Sequence, residues 1–169
     1  YYLAQEFTKT YDGGFYSSVF MYKRRDTAAG PGKLFLGPMW DYDESLGNGT
    51  TPKIFGTPEG WYLQGYNEGH DERQSYSTWF DRLLEDPSFA AQVKERWRQV
   101  FPKLQTTPDF ITTRAGVIEK SATLNFELWD PRAKDDPGPL PKGATLAKQD
   151  AFLLDWVKAR LAWMNKQLG

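Results

Sequence analysis

The stretch GKLFLGPMWDYDESLGNG, residues 32–49, runs an apolar segment into Asp41 and Asp43, which stand among aromatics just before a turn. A third acid, Asp12, lies in the sequence YDGG that follows a helical pattern. Carboxylates brought together can do several kinds of chemistry. One or two of them can hold Mg2+ while phosphate and water oxygens complete its octahedron. One can orient or deprotonate an attacking hydroxyl. A pair spaced roughly 5 to 9.5 Å apart can serve as acid and base at a glycosidic bond, provided an apolar neighbour such as Trp40 raises one of them. Turn aspartates also cap backbone amides, and that structural reading of Asp41 and Asp43 stands beside the chemical ones.

The elements around these acids decide whether they can meet. Leu3, Phe7 and Tyr11 recur at helical spacing, and Asp12-Gly13-Gly14 ends that pattern with residues that tolerate positive φ. FYSSVFMYK, residues 15–23, is aromatic and β-branched enough to predict a strand, and KLFLG, residues 33–37, predicts a second. RRDTAAGPG between them is a loop. Antiparallel pairing sets the start of the first strand beside the end of the second, so Asp12 and Asp41 share one end of a hairpin. Strands about 5 Å apart bring two such carboxylates within roughly 10 Å of each other.

The rest of the chain is helical after a long irregular loop. Residues 47–74 are glycine-rich and aperiodic, a composition that predicts a functional loop, with the role of a lid over the acids open to it. Tyr76, Trp79, Phe80, Leu83 and Leu84 then follow a helical period. Asp86 and Pro87 read as the N-cap and first turn of a helix whose face carries Phe89, Val93, Trp97 and Val100. Thr107 and Pro108 repeat the device for a helix with Ile111, Ala115, Ile118 and Ala122 inward, ending near Trp129. A Pro- and Asp-rich link leads to a last helix from about Thr145 to Gln167, with Phe152, Trp156, Trp163 and Met164 on one stripe.

Several other chemistries fail on residue type. DYDES matches the first ligand positions of a calcium loop, but Leu46 and Pro52 stand where Gly and a bidentate Glu are needed. GPGK is no phosphate loop, because Thr27 replaces the first Gly and Leu34 follows the Lys. His70 sits in a polar loop as a solvated side chain, and the sequon Asn48-Gly49-Thr50 is too common a tripeptide to carry an argument. The seven tryptophans could line a sugar, but the helical stripes assign most of them to the core, with Trp40 and Trp61 as the exceptions.

Bulk properties set the outer bounds. The 169 residues fit one domain or a large fragment of one, and the net charge of -1 offers no footprint for nucleic acid or an anionic membrane. With no cysteine there are no disulfides or thiolate metal sites, and no run reaches the roughly 18 apolar residues of a membrane span.

The order of helix, Asp12, strand, loop, strand and Asp41 is the order in which protein kinases set a catalytic-loop Asp before a metal-binding Asp. The quoted residues carry the likeness further. EFTKTYDGGFYSSVFMYKRRD, GKLFLGPMWDYDESLGN, and WFDRLLEDPSF followed by VKERWRQV together resemble the CotH kinase family, whose fold is a divergent protein-kinase one. The likeness runs from Glu6 into the last helix. Its most specific part is the GP-W-D-Y-D block, and the W-F-x-x-L-x-x-D-P-x-F spacing supports it independently.

The resemblance implies ATP- and Mg2+-dependent phosphorylation of serines in a surface or coat protein, by a secreted, cell-surface or spore-coat protein. It implies Asp12 as the catalytic-loop acid and Asp41 as the acid that holds Mg2+ on the nucleotide. Asp43 would be a second metal ligand or its support. Ser17 takes the place of the Asn that kinases keep five residues after the catalytic Asp, and is a weaker, uncharged ligand. A Gly-rich loop and a strand lysine, the nucleotide clamp of ordinary kinases, are not found. The expected fold is therefore α+β and mostly helical, like a kinase C-lobe, with one acid-bearing hairpin followed by about four helices. The chain is expected to be the C-lobe-like part of a CotH-like kinase. It would be inactive alone, with an exposed apolar flank for the N-terminal part of its own chain. The alternative is a non-catalytic coat or cell-surface protein, associated with polysaccharide.

Overall fold

The computed structural model describes residues 1–15, 17–48, 56–63, 78–129 and 145–169. Most of the 47–74 loop, Tyr76, His70, the last two residues of the sequon, and 130–144 of the Pro- and Asp-rich link lie outside the described residues. The fold is α+β and mostly helical, with one two-stranded hairpin.

Helix α1 (Tyr2–Thr8) stops earlier than its apolar spacing predicts, because Lys9 takes the left-handed conformation at φ 48° and its N–H bonds back to the Gln5 carbonyl at 2.8 Å. A 3-10 turn (Tyr11–Gly14) then carries Asp12. The fully buried face of α1 continues into Lys9 and is Tyr2, Gln5, Glu6 and Lys9, at helical spacing. Leu3, Phe7 and Tyr11, the apolar stripe, are only half-buried against the core. Polar residues thus occupy the inner face.

The hairpin pairs β1 (Met21–Lys23) with β2 (Leu34–Leu36) in antiparallel register, Tyr22 opposite Phe35, and a bond from the Gly37 N–H to the Phe20 carbonyl at 2.8 Å extends it. The first strand is much shorter than 15–23 because Phe15 and Ser18 have φ of 68° and 52°. A strand cannot pass through two left-handed residues. The chain bends there instead, around Asp12.

The described helices that follow are α2 (Thr78–Leu84), α3 (Pro87–Leu104), α4 (Thr107–Leu128) and α5 (Leu146–Leu168). Asp86 caps α3 through the Ser88 N–H at 2.8 Å, with Pro87 in the first turn, and Thr145 caps α5 through the Lys148 N–H. At α4 only half of the expected device recurs: Pro108 lies in the first turn, but no side-chain cap bond forms. The cap position of α4 is Thr106, whose hydroxyl instead bonds back to the Lys103 carbonyl.

The core joins α1, α2, α3 and α5 through Tyr2, Phe80, Val93, Trp97, Trp156, Val157, Leu161 and Met164, with Tyr62 and Leu63 from the loop sealing one side. Trp61 belongs here, edge-on to Trp163 at 4.8 Å, whereas Trp79 in α2 and Trp129 at the C-cap of α4 are exposed. Ile118 is exposed as well. On the hairpin and the segment after it, Phe20, Met21, Tyr22, Leu34, Met39 and Trp40 are exposed.

Candidate functional site

Three backbone bonds join the segments that carry the acids. The Tyr11 N–H donates to the Glu44 carbonyl at 3.0 Å, the Leu46 N–H to the Thr8 carbonyl at 2.7 Å, and the Gly37 N–H to Phe20 at the hairpin end. They bring the 3-10 turn alongside residues 41–46. Asp12 and Asp41, 29 positions apart in sequence, consequently meet across a single side chain.

That side chain is Ser18. Its Oγ lies 3.1 Å from Asp12 Oδ2 and 2.8 Å from Asp41 Oδ2, so one hydroxyl spans both carboxylates. Ser17 Oγ donates to the same Asp12 oxygen at 2.6 Å. A hydroxyl has one proton to give. Two carboxylates and two serines therefore share two protons, and among the described residues no Lys or Arg pairs with Asp12 or Asp41. Asp41 has φ 63°, a left-handed conformation that Asn and Asp enter more readily than other non-glycine residues. With Phe15 and Ser18 it makes three such residues at one site, the kind of backbone cost that persists where the surroundings over-determine it.

Asp43 reaches the same place from the next outward position. A cavity of about 290 Å³ is lined by Thr10, Tyr11, Asp12, Asp41, Asp43 and Glu44. Between the two outward acids Tyr42 turns inward, its hydroxyl accepting from Gln5 Nε2 at 2.7 Å. Gln5 also lies under the other acid-bearing turn: a Cβ added to Gly13 would stand 2.2 Å from Gln5 Oε1. One buried amide thus supports the backbone beside Asp12 and the aromatic beside Asp41.

The donor set suits a hard cation that keeps its own waters or phosphates. Among the described residues no group of three or more His, Cys, Asp or Glu converges to cage a metal. Mg2+ asks for less, since one or two carboxylates normally suffice beside phosphate oxygens. Asp12 and Asp41, with a hydroxyl between them and too few protons, fit that requirement.

Beneath the site lies a second polar cluster that the periodicity did not reveal. Glu6 and Arg160 are both fully buried. The Glu6 carboxylate accepts the N–H groups of Tyr62 and Leu63, each at 2.8 Å, and Arg160 Nη2 at 3.2 Å. Arg160 spends its remaining donors on the carbonyls of Glu6, Pro58 and Gly60, and lies 4.9 Å over the Trp163 ring. Burial brings its pKa down to about 10, with Glu6 acting the other way. Lys9 Nζ donates to the carbonyls of Thr57 and Glu59, and burial, reinforced by the Arg160 charge, brings its pKa down to about 7. In its described part, residues 56–63, the expected lid is a strap tied to α1 and α5. Tyr62 extends it to the site, donating its hydroxyl to the Tyr11 carbonyl.

All four acids and hydroxyls singled out from sequence, Asp12, Ser17, Asp41 and Asp43, fall on this one surface. Ser18, Gln5 and Arg160 were missed. A second serine beside Ser17 was a visible signal for the first, and a charge at the centre of the Trp156 to Met164 stripe was one for Arg160; nothing in the sequence marks Gln5.

No curated protein and no solved structure matches the chain. Residues 1–164 match the family described as CotH kinase protein, a span that takes in both acids, the strap and nearly all of α5. The chain belongs to the CotH kinase protein family.

Proposed function

We propose that the protein is a CotH-like kinase that transfers the γ-phosphoryl group of ATP to a serine hydroxyl of a coat or surface protein. The observation that carries this reading is the bridge from Asp12 through Ser18 to Asp41, on the rim of an acidic cavity. In this mechanism Asp41 would hold Mg2+, with Asp43 beside it and the Ser17 and Ser18 hydroxyls adjoining the two carboxylates. Bound there, the ion would neutralise charge on the phosphates and hold them in line for transfer.

The chain's own residues supply orientation. Ser17 and Ser18 engage Asp12 Oδ2 and leave its other oxygen for the acceptor serine. Asp12 takes the proton as the serine oxygen bonds to the γ-phosphorus. The bond to the β-phosphate oxygen breaks and ADP departs.

The test is calorimetric titration of ATP with Mg2+ into the full-length protein, wild type against Asp41→Asn. Metal-dependent binding in the wild type, lost in the variant, supports the reading. A folded wild type that binds no nucleotide overturns it in favour of a structural coat or surface protein.

A further inference from the structure

Ser17 already stands to Asp12 as an acceptor stands to its base. Its Oγ donates to Asp12 Oδ2 at 2.6 Å, within the reach a general base needs of the proton it takes. The side chain is exposed, so no wall of the protein closes over the hydroxyl. Ser18 differs in each respect. It is half-buried, its one proton is divided between Asp12 Oδ2 and Asp41 Oδ2, and its backbone is left-handed at φ 52°. The chain on either side of Ser17 is held in place. Before it, the Tyr11 N–H is bonded to the Glu44 carbonyl at 3.0 Å, Gly13 and Gly14 are buried, and the Phe15 ring stacks on Phe80 with centroids 5.5 Å apart. After it, the Phe20 carbonyl accepts the Gly37 N–H at 2.8 Å. A hydroxyl fixed in this way meets the acid of its own chain, at an effective concentration that no free acceptor matches.

We infer that Ser17 is a site of intramolecular autophosphorylation, and that the phosphate placed there closes the acidic site to further nucleotide. The inference rests on the phosphotransfer reading above, since it takes Asp12 as the base and ATP as the donor. Ser17 Oγ bonds to the γ-phosphorus as the bond from that phosphorus to the β-phosphate oxygen breaks. The hydroxyl proton passes to Asp12 Oδ2, and ADP leaves. The product carries a further charge of about −1.5 to −2 on Ser17, beside Asp12 and one serine away from Asp41. Among the described residues no Lys or Arg pairs with either acid to offset it. Like charge then opposes the phosphates of a second nucleotide. The modification limits itself: it needs the site open and leaves it closed.

The experiment incubates the full-length protein with ATP and Mg2+ and maps phosphate by fragmentation mass spectrometry, beside calorimetric titration of ATP with Mg2+ into the same preparation. Phosphate is expected on Ser17, at a first-order rate that dilution of the protein leaves unchanged, and none on Ser17 of Asp12→Asn. A second readout needs no turnover. Ser17→Glu, with circular dichroism as the fold control, binds ATP with Mg2+ roughly tenfold more weakly than the wild type. A wild type that binds nucleotide but carries no phosphate on Ser17 overturns the inference and leaves the phosphotransfer reading standing. A rate that falls on dilution overturns it too, because transfer then runs between molecules. If Ser17→Glu binds nucleotide as tightly as the wild type, the phosphate does not close the site. A wild type that binds no nucleotide removes the reading, and the inference with it.

Discussion

Two polar clusters occupy successive turns at the start of the chain, and they are built in opposite ways. Around Glu6 and Arg160 the charges are paired, every guanidinium N–H has an acceptor, and water is excluded. Around Asp12 and Asp41 the carboxylates lie at the rim, share serine protons, and rest on left-handed backbone. The contrast shows where the molecule invests order. Rigidity is placed underneath, in groups sealed from solvent, and unsatisfied negative charge is left above, where the proposed cation would use it.

Breaking the lower cluster should have the largest effect. Arg160→Leu takes the guanidinium from the buried Glu6 carboxylate, which keeps the Tyr62 and Leu63 N–H groups, and removes the Arg160 donors from the carbonyls of Glu6, Pro58 and Gly60, a loss of about 3–5 kcal/mol. Urea unfolding measures it. Adding Glu6→Gln, which removes the carboxylate charge but keeps an amide oxygen for one loop N–H, should recover part of the loss. A double variant no more stable than Arg160→Leu would show that the carboxylate charge is not the cause. The next effect lies where the two clusters touch. Gly13→Ala drives a Cβ into Gln5 Oε1 and should cost about 1–3 kcal/mol. Gln5→Ala in the same background should relieve most of it, and strictly additive effects would argue against the contact.

The same contrast separates what could be read in the sequence from what could not. Asp12 and Asp41 were legible because hairpin geometry is short-range: two strand signals and one loop fix which ends coincide. The cap at Asp86 and the stripe through Trp97 were legible for the same local reason. The lower cluster was not, because it joins α1 to α5 across the length of the chain and uses residue types that periodicity counts as surface. Apolar spacing pointed to Leu3, Phe7 and Tyr11, while Gln5, Glu6 and Lys9 took the inner face. That choice pays only once Arg160 and the strap carbonyls are present. Likewise FYSS scores as strand by composition, but the hydroxyls of Ser17 and Ser18 bond to Asp12, which favours a bend that propensity does not count.

Lys9 offers a smaller test on the buried side, through pH. Its folded pKa of about 7 lies below the ordinary lysine value near 10.4, so between those limits the unfolded chain holds a proton that the folded chain lacks. Stability therefore rises with pH through this window. Below about pH 7 the amine is protonated in both states, and the full cost of burying its charge is present. Arg160 adds to that cost, whereas Glu6 and Glu59 offset it. The slope contributed by Lys9 cannot exceed ~1.4 kcal/mol per pH unit, the limit for one proton. Chemical denaturation of Lys9→Met at pH 7 and pH 10 should show this rise missing. If the rise is as large in the variant as in the wild type, the titrating group lies elsewhere.

The smallest stability effect should come from the residues on which the proposed function depends most. Asp41→Asn removes a charge that no cation balances among the described residues, and it keeps an amide oxygen for Ser18. The unfolding free energy should move by no more than about 0.5 kcal/mol, and any gain would reflect relieved repulsion from Asp12. Mg2+ makes the comparison sharper. A ligand that binds only the folded state raises the melting temperature, so Mg2+ with ATP should stabilise the wild type and leave Asp41→Asn where it was. The opposite pattern, a variant much less stable than wild type and no response of the wild type to Mg2+, would make Asp41 a structural turn residue. The two clusters would then differ in exposure but not in purpose.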